Sequence, residues 1–291
     1  MRPAFLIKHT WQQSKVPLIA ILLSGACFIY AYHSTFLWLY ERYTGPDSDY
    51  SHGFLIPLVS GYLIWKKRDE LQHTVLSNSK VGLSLVVLAL LIHIGSVWTH
   101  VYFTSGFSIL LFFVGLSLYL LGPAFTKKIS FPLGFLIFMF PLPMGAIAAF
   151  SFPLKMMVSN LAASFLNVAG LPIFREGAIV HLANTTLTID DPCSGIRSLI
   201  SLLALGALMA YLAKTSLGGK AALFISAIPI AIFTNVLRVC ALILAANSLG
   251  SQWAMPDHWF HTGSGMGVFG ISMVLLLLAM RMVEWKEEKN T

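Results

Sequence analysis

Seven stretches of this chain, near residues 17 to 39, 82 to 103, 106 to 122, 130 to 150, 193 to 213, 221 to 247 and 261 to 282, are apolar for long enough to cross a bilayer. No water reaches a backbone N–H or C=O inside hydrocarbon, so such runs are confined to helices. An eighth run, 54 to 65, is shorter, with Tyr50 and Trp65 as interfacial anchors and Lys66-Lys67-Arg68 stopping it. The chain is 57% hydrophobic and 11% charged, which leaves too few charges to cover a soluble globule of its 291 residues. The expectation is an all-α polytopic membrane protein of about eight transmembrane helices, a single membrane domain over residues 1–291.

The net charge of +7 does not point to nucleic acid, because the basic residues sit in short clusters beside apolar runs. If the chain crosses at each of the eight runs, with 153 to 170 lying on the outer surface, the charges sort by side. Arg2, Lys8, Lys15, Lys66, Lys67, Arg68, Lys80, Lys127, Lys128, Lys214, Lys220, Arg281, Lys286 and Lys289 fall inside. Arg42, Lys155 and Arg175 fall outside, and Arg197 and Arg238 lie within helices near the outer face. That bias places the tails, about 1–15 and 283–291, in the cytoplasm. Residues 153 to 170 carry Lys155, Ser159, Asn160, Ser164 and Asn167, which suits an amphipathic surface helix.

The outer stretches carry acidic residues. Asp47-Ser48-Asp49-Tyr50-Ser51-His52-Gly53 reads as a solvated turn, with a substrate-facing loop as the alternative. Residues 173 to 191 alternate polar and apolar, Ala178 to Leu182 and then Thr186 to Ile189, around an Ala-Asn-Thr turn. This predicts a small extracytoplasmic β-hairpin leading into Pro192-Cys193.

Cys193 is the centre of the polar-to-apolar transition at 190 to 201. Pro192 is suited to the start of a helix, which would put Cys193 in the first turn and Cys193, Arg197 and Ser201 on one face. A neighbouring cation and a helix N-terminus both favour the nucleophilic thiolate. A cysteine in a membrane helix is ordinarily a small hydrophobe. Cys27 and Cys240 read that way, as core residues, whereas the Pro-Cys-Ser-Gly-x-Arg context sets Cys193 apart. The three cysteines form no paired metal spacing, and neither a metal nor a cofactor is expected.

Two further polar groups share the depth of Cys193. Arg238 follows after about 17 residues of its span, roughly 26 Å, near the outer boundary. Thr234 and Asn235, one turn earlier, give that helix a polar face. His261 opens the last run, with His258, His52 and His181 as competitors on the same side. Gly263, Gly265, Gly267 and Gly270 suggest a last helix packed centrally. Cysteine, histidine and arginine together suit nucleophilic acyl transfer: a proton acceptor for the thiol and a cation for the tetrahedral oxyanion.

The blocks Cys193-Ser194-Gly195-Ile196-Arg197-Ser198-Leu199, Asn235-Val236-Leu237-Arg238-Val239 and His261 followed by Gly265 resemble the signature blocks of the exosortase/archaeosortase family. Residues 49 to 57, with His52, and Arg175-Glu176-Gly177 are similar to the same family. The resemblance implies a multi-pass inner-membrane cysteine protease or transpeptidase with its site on the extracytoplasmic side. Its partners would be exported proteins ending in a PEP-CTERM-type motif, an apolar helix and a basic tail. It further implies Cys193 as nucleophile, Arg238 as transition-state stabiliser and His261 as acid/base, with Arg197, Asn235 and His52 accessory. The alternatives are a transporter with Arg238 and Arg197 lining an anion path, a non-catalytic factor in exopolysaccharide export, and a lipid-dependent acyltransferase.

Overall fold

The computed structural model describes residues 18–45, 48–182, 185–188 and 195–290. Helices dominate, and the polytopic all-α expectation holds. The chain is a multi-pass membrane protein with one small sheet. The number of full-length spans is lower than expected. Among the described residues, five helices are long and apolar enough to cross, six if a bent pair counts as one span.

The bent pair is α1 (Leu18–Ala31) and α2 (His33–Thr44), whose axes differ by 66°. Two carbonyls near the break are taken up by histidine side chains: Tyr30 O lies 2.9 Å from His33 Nδ1, and Ala31 O lies 3.0 Å from His93 Nε2. A 3-10 turn (Ser51–Phe54) then leads into α3 (Leu55–Lys66) and the short α4 (Arg68–Gln72). α5 (Lys80–Trp98) and α6 (Tyr102–Leu120) form an antiparallel pair. Gly82 and Gly115 sit where the two backbones meet. A Cβ on Gly82 would collide with the Tyr119 main chain, and one on Gly115 would lie 2.9 Å from Gly82 O.

The expected span at 130 to 150 is not one helix. α7 (Pro123–Lys128), α8 (Ser130–Phe135) and a 3-10 turn (Leu136–Met139) end before Pro141 and Pro143. Proline lacks the N–H that would continue the ladder and disfavours helical geometry at the residue before it. α9 (Met144–Val168) then runs unbroken through Pro153. Residues 153 to 168 are therefore the second half of a longer helix and not a separate surface segment. By length and composition α9 could cross a membrane. Its two halves pack in different clusters. Ile147 sits with Tyr43, Tyr50 and Ile196, while Val158, Ala162 and Leu166 sit with Val239, Ile243 and Ala246.

Three antiparallel strands follow: β1 (Phe174–Glu176), β2 (Ile179–His181) and β3 (Thr186–Thr188). The expected hairpin is β2 with β3, in the register Val180↔Leu187. Part of its turn, Ala183 and Asn184, lies outside the described residues, as does Ile189. β1 is an addition, joined through Gly177 at φ +64°. Val180 is wholly buried against α9 and the helix that carries Arg238.

The last three helices are α10 (Ile196–Leu212), α11 (Leu217–Leu249) and α12 (Trp259–Asn290). Basic side chains gather at the end of the bundle away from the sheet. Lys67 Nζ donates to Lys128 O at 2.7 Å and stands over the Tyr211 ring. Lys128 Nζ lies 3.4 Å from Glu70. Lys214 N donates to Glu284, and Thr215 and Ser216 donate to Glu287 at 3.0 Å. α12 is not central. A Cβ on Gly267 or Gly270 would meet nothing within 4 Å, and only 11% of the helix's most apolar window is buried. Cys240 is buried as expected, but Cys27 is exposed on the outer surface of α1.

Candidate active site

α10 begins later than its sequence suggests. Its N-cap is Gly195, at φ +84°, a conformation open to glycine and costly for any residue with a Cβ. The right-handed helix therefore starts at Ile196, and the expectation that Cys193 shares a face with Arg197 and Ser201 falls on a residue outside the described ones. Asp190, Asp191, Pro192, Cys193 and Ser194 lie outside the described residues. Ser198 Oγ and Leu199 N both donate to Gly195 O at 2.9 Å, closing the first turn.

Gly195 is seated on α11. A Cβ there would lie 2.5 Å from Asn235 Nδ2, so the turn after Cys193 fits only because that position is glycine. Asn235 is 2% exposed. Beside it Thr234, also buried, accepts a 2.8 Å hydrogen bond from Ser272 of α12, so the polar face of α11 points inward.

One turn beyond Asn235, Arg238 reaches α12. Its Nη2 lies 3.5 Å from both Nε2 and the carbonyl oxygen of His261. The guanidinium rests on Gly265, where a Cβ would be 3.4 Å from Arg238 Cζ. His261 is 5% exposed, and its own N–H donates to His258 O in the first turn of the helix. An arginine fork and an imidazole thus meet on one side of the Gly195–Asn235 contact.

The other three candidate histidines direct their rings to other partners. His258 Nδ1 accepts from Phe260 N at 3.2 Å, with its ring 4.6 Å from that of Trp253. His181 faces Glu176 at 3.8 Å on the sheet. His52 bonds Ser201 Oγ through Nδ1 at 3.1 Å. Burial pushes the His52 imidazole below the ordinary histidine range, with the Phe138 carbonyl a smaller opposing influence. That carbonyl acts on the ring without completing a hydrogen bond to Nε2, which is buried and has no partner.

Residues 48–53 are not the solvated turn expected. Tyr50 is 3% exposed and its Oη accepts from Leu142 N at 3.2 Å. Gly53 is pressed under Tyr43, whose ring would lie 2.5 Å from any Cβ there. Asp49 Oδ1 lies 3.9 Å from Arg197 Nε. Arg197 therefore faces Asp49, a partner that residue spacing along α10 could not reveal. The one trace of it in the sequence is the family-like block 49 to 57. Among the described residues no group of His, Cys, Asp and Glu could hold a metal ion.

A family model described as transmembrane exosortase matches residues 38–278. No curated protein matches, and no solved structure matches. The match takes in the 48–53 loop, the Gly195 turn, Asn235, Arg238 and His261, and it covers most of the chain. The chain therefore belongs to the exosortase family of membrane proteins.

Proposed function

We propose that this exosortase-family protein is a thiol-dependent membrane peptidase or transpeptidase that cleaves the C-terminal sorting signals of exported proteins. The observation that carries the reading is the approach of Arg238 to His261 within 3.5 Å, one helical turn from the Asn235 seat of Gly195. Cys193 stands two residues before Gly195 in the sequence. A thiol, an imidazole and a guanidinium then serve one reaction centre.

In that reaction His261 takes the Cys193 thiol proton and the sulfur adds to the scissile carbonyl carbon. Arg238 donates to the oxyanion that forms, the role in which a preorganised donor contributes most. Collapse breaks the C–N bond, and the leaving amine takes the proton from His261. The product is a thioester on Cys193. Water or an amine acceptor attacks it, passing a proton through His261 to the departing thiolate.

The gathering of Lys67, Lys128 and Lys214 at one end favours an orientation with that end and both tails in the cytoplasm of a cell with an inner membrane. The Arg238–His261 pair then stands at the extracytoplasmic face, where an exported substrate presents its sorting motif. The whole chain acts as one membrane domain. The test is co-expression with a tagged reporter ending in a PEP-CTERM-type motif, an apolar helix and a basic tail. Cys193→Ala should abolish processing, and a thioester-linked reporter fragment should be recoverable from the wild type. Undiminished processing by Cys193→Ala would defeat the mechanism. Arginine-dependent solute flux without cleavage would favour the transporter reading instead.

A further inference from the structure

Residues 48–54 form a brace between α2, the 141–143 segment and the first two turns of α10. Ser48 Oγ donates to Arg42 O at 2.8 Å, and Tyr50 N donates to Ser48 Oγ at 3.1 Å. Leu142 N donates to Tyr50 Oη, and Gly53 lies under Tyr43. With its base fixed in this way, the loop presents His52 to Ser201 and Asp49 to Arg197.

The protons on His52 and Ser201 follow from the hydrogen bonds. A serine hydroxyl has one proton, and Ser201 Oγ lies 2.9 Å from Arg197 O, a bond that only the hydroxyl can donate. Its 3.1 Å contact with His52 must then be accepted, so the histidine proton sits on Nδ1. The second ring nitrogen, Nε2, is buried and completes no hydrogen bond. A histidine in that state is a neutral donor, with Nδ1 engaged by Ser201 and Nε2 buried.

We propose that His52 is a positioning residue: through Nδ1–H and Ser201 it holds the first two turns of α10, and with them the Gly195 contact on Asn235. A serine bonded back to its own helix bends or loosens the turn unless a third group fixes it. His52 is that group, mounted on a loop that is itself anchored at three points. The arrangement keeps the Gly195 turn in register with α11. Its catalytic consequence rests on the thiol reading above, whereas its structural consequence does not.

Asparagine places its Nδ2 where histidine has Nδ1, and glutamine reaches the position of Nε2. This gives a test with a built-in rescue on the full-length protein in nanodiscs, using the purified sorting-tail reporter for turnover and amide hydrogen exchange over residues 199–203. His52→Gln and Ser201→Ala should lower kcat about tenfold with KM within about twofold, and speed exchange in that segment about tenfold. His52→Asn should stay near wild type in both. Should His52→Gln fail to accumulate, Ser201→Ala carries the same comparison. Equal impairment of His52→Asn and His52→Gln would overturn the proposal, and so would exchange unchanged in every variant. Faster exchange with kcat unchanged would overturn the positioning role. If Cys193→Ala still processes the reporter, the reaction reading falls, and the exchange measurement alone decides the brace.

Discussion

Gly195 lies against Asn235 so closely that a methyl group on Gly195 would sit 2.5 Å from the Asn235 amide nitrogen. The positive φ of Gly195 and this contact are separate demands on one residue. Gly195→Ala should therefore lower stability by about 2 kcal/mol or more through backbone strain and overlap together. Adding Asn235→Gly should recover only the part due to overlap. Thermal unfolding in detergent, followed by size-exclusion fluorescence, measures both.

Arg238 and His261 are coupled through a planar guanidinium. Arg238→Lys keeps the charge and loses the fork, so reporter turnover should fall about 100-fold while the amount of folded protein holds. His261→Ala should be at least as severe. Combined, the two should cost far less than the product of the single effects, because groups that act as a unit are not additive.

The glycines of α12 differ in what a side chain would meet. Gly265→Leu drives atoms into the Arg238 guanidinium, already 3.4 Å from a Cβ, and should reduce kcat about tenfold or more. Gly267→Leu enters open space and should leave the melting temperature unchanged or slightly raised, since leucine favours helix over glycine. A fall in melting temperature for Gly267→Leu comparable to that for Gly265→Leu would contradict this difference in packing.

The pH response of the brace follows from His52. Its folded value lies below the ordinary 6.5, so the unfolded chain binds the proton at higher pH than the native protein does. Stability from the neutral ring is fully present above about 6.5 and is lost as pH falls from there through the lower folded value. His52 meets the Tyr50 ring, the Ser201 hydroxyl and the Phe138 carbonyl, none of which is a second histidine. Unfolding measured between pH 7.5 and 5.5 should lose a component in the wild type that His52→Asn lacks.

Hydropathy made the membrane class legible because span length is a local property of the chain. The hairpin, too, was legible in its period-two alternation from Ala178 to Leu182. The break at 141 to 143 could have been read from its two prolines, but the apolar run on either side concealed it. Pro153 misleads in the opposite direction, since α9 continues through it. The lipid-facing glycines of α12 look the same in sequence as glycines buried between helices, because a small residue permits close approach without requiring it.

Membrane residence, the unusual polar context of Cys193 and the likeness of the blocks around Arg238 and His261 to a family's signature are all legible along the chain. That His261, and not His258, His181 or His52, meets Arg238, and that Arg197 turns to Asp49, emerges from the way the helices pack. Hydrophobic period and hydrogen-bond capacity are written along the chain. Which helices become neighbours depends on packing among distant segments, and residue spacing within any one of them carries no record of it.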